Sequence, residues 1–299
     1  GHAPNAQIRE VLETTLDAMA QRGLHDHLGG GFFRYTVDPG WSVPHFEKML
    51  YDNAQLAKLY LNAGRVLGRA DYSAVGFATL DFMLMAMQGN NGTMIASLSA
   101  IDKLGREGAY YLFDDDALAQ ALTPDEERIL RAVWSLPDAA AFDYGHLLVN
   151  QAPPELAAMQ LGWAPDEIER TLASAMGKLR GLRRDRSLPV DDKVLAGWNA
   201  LAMEAFIAGA RQSDEAIYAK TATLIKDYIE TVLWDGDQLF RAISSGAALG
   251  TVSLSDYALT ARAMLAFSRW ANTPGDAELA HQIVLAAWRD FHRSNGWQL

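Results

Sequence analysis

Along this chain apolar residues recur at steps of three and four over nine long stretches. They run approximately from Ala6 to Arg22, Pro44 to Leu67, Tyr72 to Gln88, Asp125 to Trp134, Pro165 to Arg184, Asp192 to Arg211, Asp214 to Leu233, Ser255 to Trp270 and Asp276 to Arg293. Each predicts a helix. Pro124-Asp125-Glu126 and Pro165-Asp166-Glu167 place proline and acidic residues in a first turn, where unsatisfied amides and the helix dipole favour them. Gly64, Gly68 and Gly89 read as helix stops. From Val194 to Ala210 only Asn199 and Glu204 interrupt a run of small and apolar residues, the pattern of a helix buried on every side. The helix from Pro44 is similar. Asp214 to Leu233 keeps Glu215, Lys220, Lys226, Asp227 and Glu230, and is expected to face solvent. This alternation predicts an all-α fold of paired helices in two concentric layers, an (α/α) toroid. A solenoid would alternate likewise, but no repeat of fixed short period is present. Residues from about 91 to 113, around Gly105, read as a small β-hairpin insertion, and Gln238 to Ile243 as a short strand.

A single domain spanning residues 1–299 is the expectation, with 49% hydrophobic and 21% charged residues, the balance of a globular protein. The formal net charge of −11 argues against a nucleic-acid partner. The basic cluster Arg180, Arg183, Arg184 and Arg186 closes a helix and is expected to face water there. With no cysteine there is no disulfide, thiolate nucleophile or sulfur-ligated metal. No apolar run approaches the roughly 20 residues of a membrane span, and Gly1 to Asn5 lack a signal peptide's basic start. A cytoplasmic chain with no membrane partner is expected. The abrupt end at Gly296-Trp297-Gln298-Leu299 suggests a piece of something longer.

The densest polar pattern runs from Gly29 to Asn53. Gly29-Gly30-Gly31 allows a tight turn or close backbone approach, without the spacing of a phosphate-binding loop. On a helix starting near Pro44, His45, Lys48 and Asp52 would share a face, with Glu47 and Tyr51 on a neighbouring ridge. So many polar groups in a buried helix must either be mutually bonded, as in a Glu47 pairing with Lys48 or Arg34, or line a wet cup. A second cluster is Asp191-Asp192-Lys193 with Trp198-Asn199, in which Asp192 and Asn199 lie two turns apart and Asp191 reads as an N-cap. Ser255-Asp256-Tyr257 opens a third buried helix. If these starts converge, Asp52, Asp192 and Asp256 ring a pocket suited to a polyhydroxylated ligand. Paired carboxylates are the equipment of glycosidic chemistry, and His45 is the alternative proton-abstracting base of an isomerase or epimerase. The catalytic candidates are therefore Asp52, Asp192 and His45. The substrate-binding candidates are Arg34, Tyr35, Trp41, Glu47, Lys48, Tyr51, Asn53, Lys193, Trp198, Asn199, Asp256 and Tyr257. No cofactor is called for. His25-Asp26-His27 reads as a hydrogen-bonded end to the first helix rather than a metal site, and Asp114-Asp115-Asp116 as a loop and helix start.

The stretch from Leu28 to Ala54, including Val43-Pro44-His45-Phe46-Glu47-Lys48-Met49-Leu50-Tyr51-Asp52-Asn53-Ala54, closely resembles the signature of the spermatogenesis-associated, thioredoxin-domain-containing family. Asp191-Asp192-Lys193, Trp198-Asn199 and Leu254-Ser255-Asp256-Tyr257-Ala258 resemble further motifs of the same family. The resemblance implies a six-hairpin glycosidase-like toroid, related in fold to N-acylglucosamine 2-epimerase and here incomplete. It also implies a thioredoxin-like domain in the full-length protein and a family activity that is unassigned. Ser99 and Ile101 stand where the family has aspartates, and Ala200 where it has glycine. Two functions follow: a carbohydrate-active hydrolase or epimerase, or an inactive module that binds a sugar or a protein.

Overall fold

The computed structural model describes residues 6–134, 136, 140–150 and 152–297. The readings placed on Gly1 to Asn5 and on Gln298 and Leu299 lie outside them. The chain is all-α with small antiparallel sheets, and divides into two compact units, residues 1–48 with 99–189, and residues 49–98 with 190–299.

The first unit holds α1 (Ala6–Gln21), α4 (Asp115–Ala121), α5 (Pro124–Trp134), α6 (Pro154–Leu161) and α7 (Pro165–Arg184). Its core gathers Leu118, Ile129, Leu130, Val133, Trp134, Ile168 and Leu179. The short α4 and α6 escape the periodicity, being one to two turns long. Asp114 caps α4 by accepting from the Ala117 amide at 2.7 Å, which bears out the helix start read there.

Beside this core lies a buried charge cluster. The Asp26 carboxylate accepts from Lys48 Nζ at 2.7 Å, from Arg183 Nη1 at 2.7 Å and 3.0 Å, and from the Leu28 and Gly29 amides. Lys48 Nζ also donates to the Gly30 carbonyl at 2.7 Å, and Arg183 Nη2 to the Tyr111 carbonyl at 3.0 Å. Burial alone would raise the Asp26 pKa, but Arg183 and Lys48 outweigh it and hold the carboxyl far below its ordinary range. Burial pushes the Lys48 ammonium down to about 8 against the pull of Asp26. Arg186 Nη1 donates to the carbonyls of Ala109, Tyr110 and Leu112, and Arg180 Nε to that of Leu28. Of the four, Arg180 and Arg184 are exposed as expected, whereas Arg183 and Arg186 are not: a buried carboxylate and loop carbonyls draw these two inward.

The helix expected from Pro44 starts only at Leu50. Asp38 accepts from the Ser42 and Val43 amides, closing a turn in which Trp41 takes φ +60°. Pro44 and His45 then pair antiparallel with Thr36 and Tyr35, and the Arg34 amide donates to the Glu47 carbonyl. Once committed to this ladder, residues 44–47 are not available to a helix. The expected hairpin over residues 91–113 is also absent in that form: Ile101 bridges Glu107 across the Gly105 turn, while Ser97–Leu98 pairs instead with Val190–Asp191.

The second unit is three successive helical hairpins. α2 (Leu50–Leu67) pairs with α3 (Ala70–Phe82), α8 (Ala196–Ala210) with α9 (Ala216–Tyr228), and α10 (Leu254–Ala271) with α11 (Pro274–Phe291). The first helices pack side by side in the order α2, α8, α10, and each partner lies behind its own. This is the two-layer alternation the burial pattern predicted, with α8 buried along almost its whole length and α9 half-exposed. α3 and α9 each end in a π-helical turn, Met83–Met87 and Ile229–Leu233. Gly68 ends α2 in the left-handed conformation, whereas Gly64 lies inside the helix. There a Cβ would meet the Ser73 amide nitrogen at 2.8 Å, so the glycine is what lets α2 and α3 approach. The strand expected near Gln238 to Ile243 is Ala242–Ser244, between Val194–Leu195 and Ala247–Leu249.

Two outcomes follow for the first unit. Asp26→Asn leaves Lys48 and Arg183 without their shared counter-charge and should destabilise the fold by about 3–5 kcal/mol in urea titrations. His25 is held neutral chiefly by burial, its pKa lowered from 6.5 to about 3. The unfolded chain therefore takes up this proton at higher pH than the folded one, and stability falls as pH drops from 6.5 towards 3, at up to about 1.4 kcal/mol per pH unit. His25→Leu should flatten that slope in denaturation curves between pH 6.5 and 4.5.

Candidate functional site

At the amino ends of α2 and α8, Tyr51 and Trp198 bring their rings to a centroid separation of 4.8 Å, inclined at 58°. Asp52 follows in the first turn of α2 and is half-buried. Tyr51 and Trp198 are thus two sequence candidates that the fold of the second unit brings into contact. Asp191 and Asp192 precede α8 on extended chain and are not part of it. Asp192 is exposed and accepts from Ser244 Oγ at 3.2 Å. It therefore shares no helical face with Asn199, as the spacing suggested. Asp191 is not an N-cap either: Leu195 occupies that position, and Asp191 instead accepts from the Lys193 amide and pairs with Lys193 Nζ at 2.6 Å.

Other candidates are occupied structurally. Asn199 is fully buried, accepting from the Met94 amide at 2.8 Å and donating to the Met94 and Leu195 carbonyls. Asn53 donates to the Met49 carbonyl at 2.9 Å. Asp256 forms a capping box with Ser253 at the start of α10, so its carboxylate serves the helix end. The Tyr257 hydroxyl donates to Asp290 Oδ2 at 3.1 Å and accepts from the Leu239 amide, and burial raises its pKa.

In the first unit, His45 stacks on Tyr35 with centroids 4.9 Å apart and planes 10° from parallel. Its Nε2 lies 3.9 Å from Glu107 Oε1, and its buried Nδ1 has no hydrogen-bond partner among the described residues. Arg34 pairs with Glu47 at 3.0 Å, as one of the two readings of that ridge required. Lys48 points into the Asp26 cluster, so His45, Lys48 and Asp52 do not form the shared helical face expected of them. Trp41 sits in the Asp38 turn. Glu107 is the residue that sequence reasoning missed here: 62 positions separate it from His45, and no spacing rule links the two. His27 Nε2 contacts the Arg22 carbonyl at 3.2 Å just after α1, in keeping with the helix-end reading. Among the described residues no group of three His, Asp or Glu side chains converges to hold a metal ion.

No family model matches the chain. Spermatogenesis-associated protein 20 of Homo sapiens is 30% identical over 300 residues, covering 87% of this chain and 38% of that protein. Its Mus musculus counterpart is 28% identical over 297 residues, covering 87% and 37%. Among solved structures, a sugar epimerase from a ruminal bacterium aligns with 98% of this chain and 73% of its own, at 13% identity and TM-score 0.40. A D-mannose isomerase aligns over 99% and 73%, at 12% identity and TM-score 0.43. Likenesses at those TM-scores decide nothing about the reaction. In sequence, the chain is a relative of spermatogenesis-associated protein 20, similar to it over 87% of its own length and spanning 38% of the human protein.

Proposed function

We propose that the second unit binds a saccharide at the amino ends of α2 and α8 and processes it through Asp52 and Asp192, as a glycoside hydrolase or a sugar epimerase. The observation that carries this reading is the Tyr51–Trp198 ring pair beside the half-buried Asp52. Indole and phenol rings present apolar faces with a polar edge, suited to the C–H face of a pyranose ring, while carboxylates take its hydroxyls. Lys193 beside Asp192 adds a donor at the same sequence cluster. In a hydrolase one carboxyl protonates the leaving oxygen while the other acts as base or nucleophile, and their separation sets the stereochemistry.

A second reading, saccharide or protein binding without turnover by a module of a thioredoxin-linked protein, has its own support. Asp256 serves a helix cap, and Ser99 and Ile101 bring no carboxylate, the Ser99 hydroxyl donating to the Ile101 carbonyl at 2.9 Å.

Thermal-shift titration with mono- and disaccharides, uronic acids and amino sugars separates these readings. One sugar class should raise the melting midpoint of the parent, since a ligand of the native state stabilises it with occupancy, and Trp198→Ala should abolish the shift. Turnover of that class should fall about 100-fold or more in Asp52→Asn or Asp192→Asn. A shift without product supports binding alone. No shift with any class, and mere destabilisation by the substitutions, rules out the saccharide site.

A further inference from the structure

The opposite end of the same three helices carries a feature that the saccharide reading does not use. A cavity of about 440 Å³ lies between the carboxyl-terminal halves of α2 and α8, with Ala266 of α10 on its wall. Lys58, Asn62 and Arg65 reach it from α2 at steps of four and three, and Glu204, Ala208 and Arg211 from α8 at steps of four and three. Each helix thus offers one continuous stripe to the cavity, and Gln212 adds a further amide.

The charges of this cavity are unbalanced. Glu204 is almost wholly buried, the one carboxylate of an otherwise apolar helix. It is already held by two cations: Lys58 Nζ at 2.6 Å, and Arg262 through Nε at 2.8 Å and Nη2 at 3.0 Å. Its charge is therefore compensated before Arg65 and Arg211 are counted. Neither of these exposed side chains has an ion-pair or hydrogen-bond partner among the described residues, although the chain carries 37 Asp and Glu against 26 Lys and Arg. The dipole of a helix C-terminus attracts a basic side chain, which explains each arginine singly. It does not explain why two uncompensated guanidinium groups and a lysine converge on one concavity with two amides and an already neutralised carboxylate.

We propose that this cavity binds a phosphate-bearing small molecule. The guanidinium groups of Arg65 and Arg211 take the oxyanion, since their planar forks match phosphate oxygens. Asn62 and Gln212 bond hydroxyl or carbonyl groups of the remainder, and Ile207, Ala208 and Ala266 supply an apolar wall. Glu204 acts as a positioning residue that fixes Lys58, and with Arg65 and Arg211 the lining keeps a net positive charge.

The test is equilibrium binding of inorganic phosphate and glycerol phosphate to the whole chain by titration calorimetry, with succinate as the dicarboxylate arm and chloride matching the ionic strength. Saturable binding of phosphate and of the monoester is expected, weakened at least about tenfold in Arg65→Ala and in Arg211→Ala, and unchanged in Trp198→Ala. Trp198→Ala leaves this cavity intact, so failure here and failure of the saccharide reading are told apart. Arg65→Gln and Arg211→Gln, which keep most of the side-chain length, give the same readout should an alanine variant lose its fold. The proposal is overturned by the absence of saturable phosphate binding at matched ionic strength, by preference for succinate, or by binding that survives both arginine substitutions unchanged.

Discussion

A carboxylate cannot remain ionised away from water unless cations and amides replace its hydration, and Asp26 receives both. Two basic side chains and two backbone amides surround it, and each carries the demand onward: Lys48 to the Gly30 carbonyl, Arg183 to that of Tyr111. Three distant stretches of sequence, residues 26–30, 48 and 183, are thereby fixed by one charge. The glycines there have a physical role, because Gly30 and Gly31 adopt φ of 78° and 73° and let the backbone turn its amides and carbonyl toward the cluster. Around it Phe33 and Tyr111 exclude solvent, their rings 4.9 Å and 5.1 Å from Lys48 Nζ.

The second unit rests on apolar packing. Among its inner helices α8 meets neighbours on several sides, loses the polar stripe of a surface helix, and keeps Asn199 and Glu204 with partners built in. Asn199 closes both backbone groups of Met94, and Glu204 sits between two cations. A buried polar group of this kind tolerates little displacement, because its partners are left unsatisfied when it moves. Asn199 and Glu204 thus tie α8 to the loop at Met94 and to Lys58 and Arg262 of its neighbouring helices.

Much of this was legible in the sequence. Long helices announced themselves by periodicity, and complete burial of α8 followed from its composition. The amino ends of the inner helices were legible as polar clusters, though not as geometry. Periodicity could not show that Pro44–His45 form a strand, since a turn closed by Asp38 and a ladder with Tyr35 and Thr36 decide it, and both are tertiary facts. For the same reason Lys48 and Asn199 read as site residues: a fully partnered buried group and a ligand-facing one have identical letters. Arg183 and Arg186 at the end of α7 mislead in the opposite direction, since a helix-end arginine looks solvated until the loop or carboxylate it holds is known. Glu107 beside His45, and Arg262 beside Glu204, come from remote parts of the chain, and no local rule connects them.

The π-helical turns that finish α3 and α9 have a wider consequence. Each is followed by a single bridge, Gln88 with Met94 and Trp234 with Leu239, after which the chain enters the first unit at Ser99 in one case and runs through two short strands to α10 in the other. Two hairpins without recognisable sequence repetition thus solve their exit in the same way, with a widened last turn and a pinched loop. Layers and rim are consequently separable: the rim can drift in length and composition over evolutionary time while the helix pairs beneath it keep their register. A scaffold of that kind diversifies its chemistry at one edge without renegotiating its core.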